Sequence, residues 1–153
     1  MSTQKSRRAT TLHAVTALVA LFGLADAMYL TVEHLTGQSV RCTVISGCSE
    51  VLSSPYATIH GYPLALLGAI AYFTVFSLAT LAAFGYPLVS RLLLLVVALM
   101  FLTTLWLLYL QAFVIHHFCQ FCLLSAAVTI ALSVLVLIAS RSAIDRPRVF
   151  TGE

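Results

Sequence analysis

The chain is poor in charge. Only 8% of its 153 residues are Asp, Glu, Lys or Arg, where a soluble domain of this size carries about a quarter. That scarcity excludes a monomer dissolved in water. Hydrophobic residues make up 61% of the chain and the mean hydropathy is +1.02, so it reads as an integral membrane protein. There is no internal repeat, no low-complexity tract and no stretch long enough for a separate soluble domain. The first apolar run is long and no small-residue cleavage site follows it, so no cleavable signal peptide is expected. The net charge of +3 comes from basic residues at segment ends. That is a topology pattern, and nucleic acid is not an expected partner.

What is there is apolar and organised. Four runs of spanning length occupy about residues 12–32, 64–84, 92–114 and 119–139. The expected fold is therefore all-α and integral to the membrane: a four-transmembrane-helix bundle over residues 12–140. Residues 1–11 read as a disordered N-terminus and 141–153 as a tail. The Phe84-Gly85-Tyr86-Pro87 turn is short, so spans two and three are expected to be antiparallel neighbours. Lys5, Arg7, Arg8, Arg91, Arg141, Arg146 and Arg148 fall on one side of such a bundle, and only Arg41 falls on the other. Positive residues stay inside. Both termini are then cytoplasmic, and the 33–63 loop and the turn at His116 face outward.

All four cysteines land on that outer, oxidising side. Cys119-Gln120-Phe121-Cys122 is a Cys-x-x-Cys pair at the start of span four. Two such residues are one helical turn apart, near enough to bridge, and a helix start aims free N–H groups at the first thiol. A thiolate is favoured there, so the pair reads as a redox-active dithiol; the plain alternative is a static bridge. Cys42 and Cys48 lie in the long loop with Gly47 between them. A loop of that size closes readily into a disulfide, and the pair alone reads as a staple. Two pairs on one face also allow thiol–disulfide exchange, which needs no metal. A zinc site using these cysteines with His34, His60, His116 or His117 is a further alternative, and its Cys-x5-Cys half fits poorly.

Residues 49–54 read as a short helix, capped by Ser49 and stopped by Pro55, with apolar Val51 and Leu52 laid over the bundle mouth as a lid. His116 and His117 precede the dithiol and are candidate proton carriers or simple interfacial residues. Asp26 lies within span one, where ionisable groups are costly and often functional. Asp26, Tyr29 and Glu33 share a helical face and are read as a proton path, a hold on the loop, or groups reaching to the interface. Gln111 in span three raises the same question. Aromatic residues near the outer ends, among them Tyr29, Tyr56, Tyr62, Tyr72, Tyr109, Phe113, Phe118 and Phe121, read mostly as an interfacial belt. Some are candidates to line a pocket for a flat apolar ring beside the dithiol.

Taken in order, Cys42-x5-Cys48, the run Gly47-Cys48-Ser49-Glu50-Val51-Leu52-Ser53-Ser54-Pro55-Tyr56-Ala57, Gly61-Tyr62-Pro63-Leu64, Gly68, Tyr72 and Phe118-Cys119-Gln120-Phe121-Cys122 resemble the vitamin K epoxide reductase family in its bacterial branch. The resemblance implies a four-helix bundle around a quinone (menaquinone or ubiquinone), capped by a short helix, in a bacterial inner membrane. It implies a thiol–disulfide oxidoreductase that reoxidises a separate DsbA-like thioredoxin-fold protein. Cys42 would meet that partner, Cys48 would exchange with Cys119, and Cys122 would face the quinone. Leu52, Ser54 and Tyr56 match pocket and lid positions, with Leu64 and Tyr72 as further ring contacts. Animal members carry an asparagine where Leu64 stands and a tyrosine where Ala126 stands, so plain quinone reduction is implied here ahead of epoxide reduction. Two rivals stay open: an oxidase of the DsbB type, whose Cys-x-x-Cys lies in the first outer loop, and a non-catalytic membrane adaptor with structural disulfides.

Overall fold

A computed structural model describes residues 2–37, 42–44 and 47–144. Arg41, Arg146, Pro147 and Arg148 lie outside the described residues, as does the tail from residue 145 onward. Four long helices form the body: α1 Ser2–Leu35, α3 Leu64–Ala83, α4 Pro87–Leu110 and α5 Gln120–Ile144. Each is long and apolar enough to cross a bilayer. They pack in a closed ring in which α1 touches α3 and α5, and α4 touches the same two. The chain is a multi-pass membrane protein.

Proline and glycine set the helix limits. Pro63 precedes α3, and Pro87 opens α4, where its missing N–H costs nothing. Gly85, at φ +95°, turns the chain between α3 and α4. At its far end α4 widens into a π-turn, Gln111–Ile115, and His116 then reverses the chain with φ +57°. The N-terminal reading needs correction. Residues 2–11 are not the disordered stretch their polarity suggests: α1 starts at Ser2, because nothing in that polar segment breaks a helix.

The core is made of small residues. Ala20 and Ala27 of α1, with Ala69 and Ala79 of α3, let the two backbones approach closely, as packing inside a bilayer requires. Gly23 leaves room for a ring: a Cβ there would stand 2.5 Å from the Tyr72 side chain. The outer faces carry exposed large apolar residues such as Leu95, Leu99, Leu102 and Trp106, suited to lipid.

Between α1 and α3 lies the one substantial connection. It holds a short helix, α2 Cys48–Leu52, a 3₁₀ turn at Pro55–Ala57, and a hairpin pairing Thr58–Ile59 with Tyr62–Pro63. His60 and Gly61 form its two-residue turn, both at positive φ, as hairpins of this length favour. The short helix differs from the expected 49–54 segment under a Ser49 cap. It begins at Cys48 behind Gly47, with no side-chain cap, and the Ser49 hydroxyl bonds to Glu50.

Candidate functional site: two cysteine pairs beside an apolar cavity

The two cysteine pairs meet at one end of the bundle. Cys42 and Cys48 are joined by a disulfide, with Cα atoms 5.7 Å apart. Cys119 and Cys122 are free thiols. Cys48 and Cys119 are both fully buried and share one apolar cluster with Leu30 and Val51. Cys42 is half-buried at the edge of that cluster. Cys122 is half-buried on the other side and lines a cavity. The four sulfurs thus run from the surface, through a buried centre, to the cavity wall.

Local structure explains how the pairs are brought together. Gly47, at φ +151°, lies so close to the chain before Cys119 that a Cβ would stand 2.7 Å from the Phe118 carbonyl oxygen. Gln120, the second residue of Cys-x-x-Cys, accepts a hydrogen bond at Oε1 from the Val44 N–H at 3.0 Å, and its amide also lies 3.4 Å from the Thr43 hydroxyl. The late dithiol therefore holds the loop of the early pair by a side chain, 76 residues away in sequence. Gln111 serves the same region. Its Oε1 accepts the Cys119 N–H at 3.0 Å, fixing the backbone just ahead of α5.

Cys119 stands one residue before α5, where free N–H groups point outward. Its thiol is lowered to about 7, first by the hydrogen bond from the Cys122 thiol and then by the N–H groups of Cys122 and Phe121, which outweigh burial. An ultraviolet titration of thiolate absorbance should therefore find one thiol ionising near pH 7. The signal should vanish in Cys119→Ser. It should move up in Cys122→Ala, which removes the main stabilising bond. A single midpoint near that of an ordinary thiol, about 8.5, would contradict this.

The cavity has a volume of about 150 Å³ and is walled by α1, α3, α4, α5 and the loop helix. A mainly apolar space of that size holds one aromatic ring. Leu52, Ser54, Tyr56 and Leu64 line it, as does Cys122. The Ser54 hydroxyl donates to the Val51 carbonyl at 2.7 Å, which leaves only its oxygen lone pairs toward the cavity. Tyr72 lies elsewhere. The resemblance puts it at the ring site, but it does not line the cavity. It is 2% exposed, sits in the slot left by Gly23, and places its hydroxyl 2.7 Å from Ser125 Oγ and 3.1 Å from Thr129 Oγ1. It ties α3 to α5 across the bundle.

The remaining candidates divide. Asp26 and Gln111 line the cavity. Tyr29 does not; it is 45% exposed and its ring packs 5.4 Å from that of Phe121. Asp26, Tyr29 and Glu33 thus form no single line into the cavity. His116 and His117 are exposed. Glu50 of α2 has its carboxyl held below the ordinary range by its own backbone N–H and the Ser49 hydroxyl, with a smaller contribution from His117. Among the described residues, no three His, Cys, Asp or Glu side chains gather as metal ligands. The α4 wall, Thr104, Leu107 and Leu108, carries no sequence signal. In a uniformly apolar span, nothing local marks which face turns inward.

Four spans, two cysteine pairs at one end and a ring-sized cavity beside the second pair define a membrane protein built around paired thiols. Residues 14–137 match the Vitamin K epoxide reductase family, and the chain belongs to that family. Over 57 residues it is 37% identical to "Thiol-disulfide oxidoreductase LTO1" of Arabidopsis thaliana. That match covers 37% of this chain and 15% of the plant protein, so the chain corresponds to a small part of that relative.

Proposed function

We propose that the protein is a membrane disulfide oxidoreductase that moves electrons from an extracytoplasmic thiol to a membrane quinone. The donor is a DsbA-like thioredoxin-fold protein, and the purpose is disulfide formation outside the cytoplasm. On this reading the protein sits in a bacterial inner membrane with both termini cytoplasmic and the cysteine end facing outward. The single observation that carries the proposal is the burial order of the sulfurs: Cys42 half-buried, Cys48 and Cys119 enclosed together, Cys122 on the cavity wall. A set of static staples would have no need of a thiol lining a ring-sized cavity.

The residues present fit a quinone. The wall is mostly apolar, one ring fills the space, and a thiol stands at its edge. Leu52, Ser54, Tyr56 and Leu64 would hold the ring, with α2 as the lid over it. When bound, a quinone supplies the acceptor for two electrons and two protons. The chain's own residues do the rest. Cys42 receives the partner's thiolate, and the released Cys48 thiolate attacks Cys119 once Cys119 and Cys122 have given two electrons to the quinone and stand as a disulfide. A Cys48–Cys119 mixed disulfide then forms, and Cys122 leaves as the thiolate. Gly47 and Gln120 keep the two pairs in register, while α2 and the α4 wall keep water from the thiols. Menaquinone and ubiquinone both satisfy these requirements.

A trapping experiment tests the entry step. Cys48→Ser leaves Cys42 a free thiol with no neighbour to displace a partner from it, so its thiolate should attack the disulfide of an oxidised thioredoxin-fold oxidase of the DsbA type and the variant should accumulate the mixed disulfide. Mass spectrometry should place the bond at Cys42. An adduct at Cys119 or Cys122, or none with any such partner, would remove Cys42 from its role.

A further inference from the structure

Among the described residues, Asp26 is the one acid in the cavity wall. It lies on α1 nine residues before Leu35, about 13 Å from that helix end at 1.5 Å per residue. Only 9% of it is exposed, and no described residue bonds its Oδ2. A buried carboxyl left without a partner is expensive, and more so inside a membrane span. Among the described residues no lysine or arginine lines the cavity, and the other titratable side chains in the wall are His34, Tyr56 and Cys122. Asp26 and Cys122 line the same cavity. The other buried polar atom without a partner among the described residues is His13 Nδ1. It lies 13 residues earlier on α1, about 20 Å away, and does not line the cavity. The feature is therefore particular to the wall that carries Cys122.

We propose that Asp26 is the proton-transfer residue of this site, carrying the Cys122 thiol proton from Sγ toward the ring held in the cavity. The inference rests on the quinone reading above. That chemistry loses two S–H bonds, forms one S–S bond between Cys119 and Cys122, and adds two electrons and two O–H bonds to the acceptor. One of those protons leaves Cys122 and passes over the Asp26 carboxyl. The other replaces the proton Cys119 has already given up and enters from water. Asp26 ends each cycle in the protonation state in which it began. Its isolation suits it to proton transfer. A carboxyl locked in an ion pair would hold one protonation state, whereas an unpartnered one exchanges a proton with little rearrangement.

The test uses the full-length protein in detergent, dithiothreitol as donor and ubiquinone-1 or menaquinone-1 as acceptor. Asp26→Asn keeps the size and a hydrogen-bond donor but cannot relay a proton. Its kcat should fall about 100-fold, in the range of lost general acid–base catalysis, with KM for the quinone changed less than about threefold. Reduction of both cysteine pairs by dithiothreitol without quinone should keep its rate. Asp26→Glu should recover most of the loss. Independently of turnover, infrared difference spectra taken on adding quinone to reduced protein should show a carboxyl band that is missing in Asp26→Asn. Asp26→Ser replaces Asn in every arm if the latter does not fold. Wild-type kcat in Asp26→Asn, an Asp26→Glu variant as slow as Asn, a loss confined to KM, or no carboxyl band would each overturn the proposal. The two readings fail separately. Full-speed Cys122→Ala defeats the quinone site itself, whereas inactive Cys122→Ala beside full-speed Asp26→Asn defeats only the role of Asp26.

Discussion

Cys122→Ala should abolish steady-state quinone reduction, lowering turnover about 10³-fold or more, as when a nucleophile without a substitute is removed. Cys122 is the only cysteine that lines the cavity, and its partner Cys119 is fully buried behind it. No other sulfur among the four can stand in at the wall. The entry half should survive. Cys42–Cys48 is intact in the variant, so it should still oxidise one equivalent of partner thiol before stopping. A burst of one equivalent followed by silence is thus the expected trace. Continued turnover would mean that electrons leave the protein by a route that does not pass the cavity.

Gly47→Ala should give the second-largest effect, by a different physical route. The φ of +151° strains any residue with a side chain, and the new Cβ would meet the Phe118 carbonyl at 2.7 Å. Backbone oxygen cannot rotate aside as a flexible side-chain tip can. The loop must therefore lift from the segment that leads into Cys119. A misplacement of about 1 Å costs up to 10²-fold when reacting groups depend on alignment, so transfer from the loop pair to Cys119 should slow about 10- to 100-fold. Each pair should still react alone: Cys42 with a partner thiol, and the Cys119–Cys122 dithiol with quinone. Stopped-flow measurement of the separate half-reactions checks this. If overall turnover is unchanged, the close approach at Gly47 has no part in the relay.

Much of this arrangement is legible in the amino-acid sequence. Low charge and four runs of spanning length follow from bulk composition. Cys119 and Cys122 sit one turn apart because a helix starts between them, and the apolar Val51 and Leu52 do turn toward the bundle. Features that depend on distant partners are not legible. The Gln120 contact with residues 43 and 44 joins points 76 and 77 residues apart and leaves no local trace. Tyr72 looks like one more interfacial aromatic until Gly23, 49 positions earlier, is seen to make a slot for its ring. The helix from Ser2 escapes a reading that equates polarity with disorder, although no proline or glycine interrupts it. Asp26 is visible as an oddity, but only the cavity gives its carboxyl a place.

The account rests on Cys48 and Cys119 being within reach of each other. A double variant, Cys42→Ser with Cys122→Ser, isolates that pair, and mild oxidation followed by mass spectrometry under non-reducing conditions reads the outcome. A Cys48–Cys119 disulfide, which needs Cα atoms within about 7 Å, should form rapidly and within one chain. Two free thiols that persist under oxidant, or bonds only between separate molecules, would contradict the relay.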